Sequence, residues 1–401
     1  MNNRRALGFI LCTVTLDCLA LGIMIPVLPT IVLGFMGGDT AGAAEVFGVF
    51  ATVWGLMQFL FSPLLGALSD RYGRRPVILI SCLGLGLDYV FMALAPSLAL
   101  LLVGRIISGI TAATISTAFA YIADVTKPDE RAKAFGIIGL GFGFGFVLGP
   151  AIGGLLGGFD PRLPFWVSAG ACLLNAGFGW FVLPESLPLE KRMAFAWKRA
   201  NPLGSLRLLL SHRQLTGLAA IDFIVDVAHQ VLPSVFVLYA AYRYGWGEAT
   251  VGLTLAFVGA SAAVVQGLLV GPIVKWLGLR GSLIAGLMFG SLGMAIYALA
   301  PTGHWFWAGV PVMALWGIAG PSLQDMMSRR VSESEQGQLQ GASNSARSIA
   351  GLIGPALFTA TFAWLIGWLP GAPFLLAALL LIAAAAVTWI VITPSVPANP
   401  P

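Results

Sequence analysis

The sequence predicts an all-α polytopic membrane protein: twelve transmembrane helices in two pseudo-symmetric six-helix bundles. Three observations carry that expectation. Of its 401 residues, 58% are hydrophobic and only 10% are charged, against roughly 25% charged in an ordinary soluble chain. Apolar runs of about 20 residues, long enough to cross a bilayer, recur along nearly the whole length. The chain also repeats itself at one offset of 205 residues. That offset takes Gly66, Gly73 and Arg75 onto Gly271, Gly278 and Arg280. It also takes Gly149-Pro150-Ala151 onto Gly354-Pro355-Ala356, and Glu130 and Gly136 onto Glu335 and Gly341.

Twelve spans can be drawn at roughly 6–32, 43–67, 76–95, 98–122, 133–157, 163–183, 214–243, 248–275, 280–300, 303–326, 338–363 and 369–393. The 50 glycines and 24 prolines are scattered inside these spans, as in membrane helices, where small residues line interfaces and breakers are tolerated. β-Barrel strands would instead alternate in short segments. Met1 to Arg5 resembles the start of a signal peptide, but no small-residue cleavage site follows, so the run reads as a retained first span. Domains follow from the repeat: an N-terminal bundle over 1–183, a polar linker over 184–213 and a C-terminal bundle over 214–401. Cys12, Cys18, Cys82 and Cys172 lie in apolar spans without metal-ligand spacing and read as buried free thiols.

Orientation comes from lysine and arginine. With the N-terminus inside, eighteen of the 22 basic residues fall on one side. They are Arg4, Arg5, Arg71, Arg74, Arg75, Lys127, Arg131, Lys133, six linker residues from Lys191 to Arg213, Lys275, Arg280, Arg329 and Arg330. Arg162 and Arg243 remain outside, and Arg105 and Arg347 fall within spans. This asymmetry predicts both termini on the cytoplasmic side. The net charge of +5 is then a topological signal, and with no soluble basic domain nucleic-acid binding is not expected.

Charge inside a bilayer is costly and marks function by default. Asp17 and Asp88 lie in the first and third spans, Arg105 in the fourth, and Asp222, Asp226 and His229 in the seventh. A carboxylate in low dielectric can take up and release a proton near neutral pH, so these six residues are the candidates for proton coupling. Asp17 is the expected partner of Arg105. Asp222, Asp226 and His229 fall at i, i+4 and i+7, on one helix face; a single helix without a second cluster is a weak metal site, and no metal is expected. The loop Gly66 to Pro76 holds Asp70, Arg71, Gly73, Arg74 and Arg75. Gly66 is expected to let helices approach closely and Gly73 to supply a turn. Asp124 is expected to pair with the Asp70/Arg71 loop, and Asp325 to serve with Arg329 and Arg330 in the second half. Glycines around Gly149-Pro150, echoed at Gly354-Pro355, give a smooth face for close helix contact. Gln58, Phe142, Phe146, Gln230, Gln266, Gln324 and Asn344 are candidate substrate-binding residues, because aromatics with a few amides suit a flat, partly apolar ligand. No P-loop or Ser-His-Asp arrangement is present, so neither ATP-driven transport nor catalysis is expected.

With these residues in view, the chain resembles the major facilitator superfamily, and within it the twelve-helix drug/proton antiporters of the tetracycline-efflux group. Gly66 to Arg75 matches the G-x-L-S-D-R-x-G-R-R motif, Gly104 to Gly109 the fourth-helix motif with its intramembrane arginine, and Gly141 to Gly154 the fifth-helix antiporter motif. Leu16-Asp17, Met24 to Pro29, Leu87-Asp88-Tyr89, Tyr121 to Asp124 and Gln336 to Gly341 are similar to the tetracycline group. The resemblance implies alternating access, proton-driven export of an amphipathic drug, the proton as coupling ion without prosthetic cofactor, and function as a monomer. An alternative is proton-coupled uptake or exchange of a small polar metabolite such as a sugar. Two positions depart from the group: Gly290 stands where it carries an Asp in the ninth helix, and Ala262 where it often has a His in the eighth.

Overall fold

The computed structural model describes residues 3–111, 114–126, 131–192, 209, 213–331 and 336–391. Most of the expected 184–213 linker therefore lies outside the described residues. Each of the twelve predicted spans has a helical counterpart. In the first half these are α1 (Asn3–Met24) with α2 (Leu28–Phe35), α3 (Thr40–Tyr72), α4 (Arg74–Leu94), α5 (Leu98–Thr111) with α6 (Thr114–Val125), α7 (Arg131–Gly157) and α8 (Leu163–Val182). In the second half they are α9 (Arg213–His229) with α10 (Val231–Tyr244), α11 (Glu248–Val264), α12 (Val270–Leu299), α13 (Gly303–Ala314) with α14 (Ala319–Ser328), α15 (Gln336–Leu365) and α16 (Ala372–Val391). Nine stretches are long and apolar enough to cross a membrane among the described residues. One of them, Glu248–Leu299, runs through two spans merged at Gly278, whose φ of +68° breaks the helical path.

The packing separates two units. One comprises residues 1–202 with 233–259; the other comprises 203–232 with 260–401. Residues 233–259, which the repeat places in the second half of the sequence, pack by contact with the first unit.

Local chemistry sets the helix ends. Asp39 caps α3 by accepting from the amides of Ala41 and Gly42, each at 3.1 Å, which satisfies donors that a helix start leaves open. Gly73, at φ +104°, ends α3 and starts α4, a backbone conformation that a side chain resists. In the first unit, α1 and α7 meet glycine to glycine: a Cβ on Gly149 would fall 2.7 Å from Gly22 Cα. No larger residue fits that crossing. In the second unit, Gly286, Gly290 and Gly293 give α12 an equally smooth face. Added Cβ atoms there would fall 2.7 Å from Ala319 N, 2.7 Å from Trp316 Cγ and 2.6 Å from Met313 Cα.

Two turns of non-α winding lie in the second half among the described residues. A π-helical turn, Val265–Leu269, separates α11 from α12, and a 3₁₀ turn, Leu315–Ile318, separates α13 from α14. Such turns change helical winding and frequently occur at functional sites.

Two expectations change. Gly66 has open space where its Cβ would stand; the close crossings use other glycines, because Gly66 looks away from neighbouring helices. Cys12 is exposed on α1, whereas Cys18, Cys82 and Cys172 are buried; all four are free thiols.

Candidate functional site

The charged turn between α3 and α4 is held by Arg74. Its Nη1 donates to Asp70 Oδ1 at 2.6 Å and Ser69 Oγ at 2.6 Å, and its Nε to Asp124 Oδ2 at 3.2 Å. Its backbone N–H donates to Glu185 Oε1 at 2.8 Å. Ser186 Oγ adds a donor to Asp124 at 3.0 Å, and Arg192 approaches Glu185 at 3.8 Å. The sequence reading paired Asp124 with the Asp70/Arg71 loop; the residue that makes the pairing is Arg74, because Arg71 points away and lies 5.0 Å from the Tyr72 ring centroid. Glu185, Ser186 and Ser69 were not anticipated. Arg75 donates to the carbonyl of Trp180 near the end of α8 at 2.6 Å and lies over its indole. In the other unit, Arg280 repeats this on Trp389: 3.0 Å to the carbonyl and 4.7 Å to the ring centroid. Asp325 forks onto Arg329 at 2.8 and 3.0 Å, while Arg330 donates to the Met326 carbonyl.

A test of the turn follows. Arg74→Ala takes the guanidinium from two carboxylates and one hydroxyl, a stability loss on the order of 2 kcal/mol. The folding equilibrium measured by denaturation should shift at least about tenfold, since 1.4 kcal/mol is a factor of ten. Arg71→Ala should stay near the parent stability. Equal losses in the two variants would refute the assignment of Arg74 as the organising residue.

Deeper in the first unit, Asp17 and Asp88 are both buried, each 2% exposed. Neither oxygen of Asp88 has a hydrogen-bond partner. Its Oδ1 faces α5, 3.2 Å from where a Cβ on Gly104 would stand. Arg105 lies over the Trp54 ring, 5.1 Å from its centroid, with Nε buried and unbonded. Its electrostatic neighbours are Tyr89 and Asp88. The expected Asp17–Arg105 pairing is therefore replaced by a cation–π contact with Trp54 and a field from Asp88, because Gly104 presents this part of α5 to α4. Cation–π contacts of this kind stabilise by roughly 0.5–2 kcal/mol. Asp17 and Asp88 both act electrostatically on the buried Tyr89 hydroxyl.

In the second unit, Arg347 of α15 donates through Nε to both oxygens of Asp226, at 3.2 and 3.4 Å. Asp222 feels both Asp226 and Arg347. His229 is exposed and packs its ring 5.5 Å from that of Trp316. Asp226 also feels His229, and Arg347 and Trp316 are partners the sequence reading did not assign. Among the described residues, no three His, Cys, Asp or Glu side chains come together as a metal group. Gln266, inside the π turn, donates to Gly317 O in the 3₁₀ turn at 2.9 Å. Gln230 packs against Gly354 in the α9–α15 region, and Pro355 gives its carbonyl to Thr359 at 2.7 Å. Gln58 is half-buried on α3, Phe146 and Asn344 are exposed, and Gln324 Nε2 is buried without a partner. The Phe142 side chain lies outside the described ones.

The antiporter-like glycines of α7 do more than meet α1. A Cβ on Gly154 would collide with the Glu248 carbonyl and fall 2.8 Å from Gly252 Cα; a Cβ on Gly252 would collide with the Pro150 carbonyl. Here α7 and α11 touch backbone to backbone.

Residues 10–355 match the family described as Major Facilitator Superfamily. The chain belongs to that superfamily. Among relatives within it, the "Tetracycline resistance protein, class C" of Escherichia coli is 40% identical over 366 residues, covering 90% of this chain and 91% of that protein. The class G protein of Vibrio anguillarum is 38% identical, covering 90% and 93%. Solved major facilitator transporters share the fold. The human organic anion transporter MFSD10 (TETRAN) superposes with a TM-score of 0.72 at 23% identity, covering 97% of this chain and all of that one. The nucleoside transporter NupG gives 0.78 at 13% identity, covering 98% and 99%.

As a member of the Major Facilitator Superfamily, the chain is a multi-pass membrane transporter with a small-molecule substrate. The departure at Gly290 has a steric counterpart. Trp316 Cγ stands 2.7 Å and Leu381 Cδ1 3.1 Å from where a Cβ would lie. An indole fills the space that a side chain at 290 would need.

Proposed function

We propose that this chain exports a tetracycline-like amphipathic drug in exchange for protons, by alternating access between two six-helix bundles (1–183 and 214–401) joined by the 184–213 linker. The observation that carries this reading is similarity to tetracycline resistance proteins across about nine-tenths of both chains. Carboxylates sequestered in the spans support it, since Asp17, Asp88, Asp222 and Asp226 are groups able to exchange protons with an alternately exposed cavity. Gln58, Phe142, Phe146, Gln230, Gln266, Gln324 and Asn344 contribute ligand contacts. The networks at Asp70–Arg74–Asp124 and Asp325–Arg329 act in gating, together with the Gly149-Pro150 and Gly354-Pro355 helices. The protein works as a monomer in an inner membrane with both termini cytoplasmic. The proton is its only coupling ion, and it needs no prosthetic group and performs no enzymatic chemistry.

The test is proton movement in proteoliposomes holding an internal pH dye. Tetracycline added under an imposed gradient should drive counter-directional proton flow, and a panel of sugars should not. Co-directional proton entry with a sugar, and silence with tetracycline, would replace export with uptake. Asp17→Asn should abolish proton-coupled transport while insertion and fold persist. Undiminished uphill transport by that variant would remove Asp17 from the coupling pathway.

A further inference from the structure

The two halves carry the same turn with its charges placed differently: residues 66–76 hold Asp70, Arg71, Arg74 and Arg75, whereas residues 271–281 hold Lys275 and Arg280 and no carboxylate. In the first copy, Asp70, Asp124 and Glu185 surround Arg74. At the offset of 205 residues those three acids become Lys275, Arg329 and Ile390, and Arg74 becomes Leu279. Two carboxylates are replaced by cations and the third by a hydrocarbon. What persists is the arginine that clips the turn to the last helix of its half, Arg280 on Trp389. Arg280 Nε is buried without a partner, and Lys275 forms no ion pair among the described residues. Arg329 turns back to Asp325 on its own helix.

Around these cations stand indoles turned outward: Trp276 is 83% exposed and Trp389 67%. They sit where spans end, Trp276 beside the Gly278 break and Trp389 in the final turn of α16. Tryptophan at that level belongs in the lipid headgroup region, and lysine or arginine beside it attracts anionic headgroups. We propose that the turn formed by Lys275, Trp276 and Arg280, with Trp389, binds the headgroup phosphate of an anionic phospholipid. The lipid supplies a negative charge to a turn that, unlike the first copy, has no carboxylate of its own. A free phosphate would satisfy the cations but make no contact with the indoles. The lipid satisfies both, its phosphate on Lys275 and its glycerol and acyl region against the rings.

Native mass spectrometry of the full chain in detergent tests this, with phosphatidylglycerol, phosphatidylethanolamine or inorganic phosphate added in turn. The wild type should retain phosphatidylglycerol in preference to phosphatidylethanolamine. Lys275→Gln should weaken that binding roughly fivefold, the equivalent of about 1 kcal/mol per cation near an anionic surface. Lys275→Glu should abolish the preference, and Trp276→Ala should weaken both lipids. Lys275 is exposed, so these variants keep the fold. Equal phosphatidylglycerol retention by wild type and Lys275→Glu would overturn the site. Inorganic phosphate displacing phosphatidylglycerol at equal concentration would overturn the lipid as its ligand.

Discussion

Replacing Gly154 with leucine is expected to abolish transport while leaving the protein inserted in the membrane. The α7–α11 crossing is backbone on backbone: the first atom of any side chain at 154 collides with the Glu248 carbonyl and meets Gly252 Cα at 2.8 Å. Neither neighbour is a flexible side-chain tip that can swing aside. Overpacking of this kind costs about 1–3 kcal/mol, and here the cost falls on whichever conformation brings the two helices together. Transport in everted vesicles should drop at least about tenfold, since 1.4 kcal/mol is a factor of ten, and Gly154→Ala should fall between. Gly158→Leu is the control, because its nearest neighbours stand 3.5 Å away. If Gly154→Leu transported as fast as Gly158→Leu, the crossing would be a static contact without a part in the cycle.

A second large effect is expected at Asp226 and Arg347. Arg347→Ala leaves Asp226 and Asp222 without their guanidinium, and Asp226→Asn leaves an arginine unpaired within a span. Each single variant should lose about 1.4 kcal/mol or more of stability, a tenfold shift in the folding equilibrium, and most of its transport. Asp226→Asn combined with Arg347→Gln removes both charges, so thermal stability should return toward the parent value, the non-additivity that marks a contacting pair. Under the proposed mechanism proton-coupled transport should not return, because Asp226 is one of the carboxylates proposed to exchange the proton. Recovery of coupling in the double variant would make the pair purely structural and shift the proton pathway to Asp17 and Asp88.

The fold was legible because a bilayer restricts the chain to few solutions. Apolar runs must be helices, and charge within them must be sequestered, so Asp17, Asp88, Asp222 and Asp226 announced themselves. Partner choice was not legible. Arg71 and Arg74 are indistinguishable as letters, yet only Arg74 is turned by Gly73 toward Asp124. Arg105 was matched to the wrong acid because the rotation of α4 and α5 about their axes is set by packing at Gly104, which no single-chain pattern reports. Trp54 and Trp316 were missed for a related reason: indoles in an apolar span look like filler until a guanidinium or an imidazole is seen against them. Arg347 had a readable signal, a lone cation in the eleventh span with two unmatched acids in the seventh.

The paired clips of Arg75 on Trp180 and Arg280 on Trp389 carry one more consequence. The arginines are related by the repeat offset of 205 residues, but the tryptophans are separated by four residues more. Four residues is close to one helical turn of 3.6, so the indole keeps its angular phase on the last helix of each half. It also keeps its distance from the terminus: α8 ends at Val182 and α16 at Val391, two residues past the tryptophan in both. A drift of two residues would have rotated the ring to the opposite face and left the arginine stacked on nothing. In the divergence of the two copies, length could therefore change here by whole turns of helix.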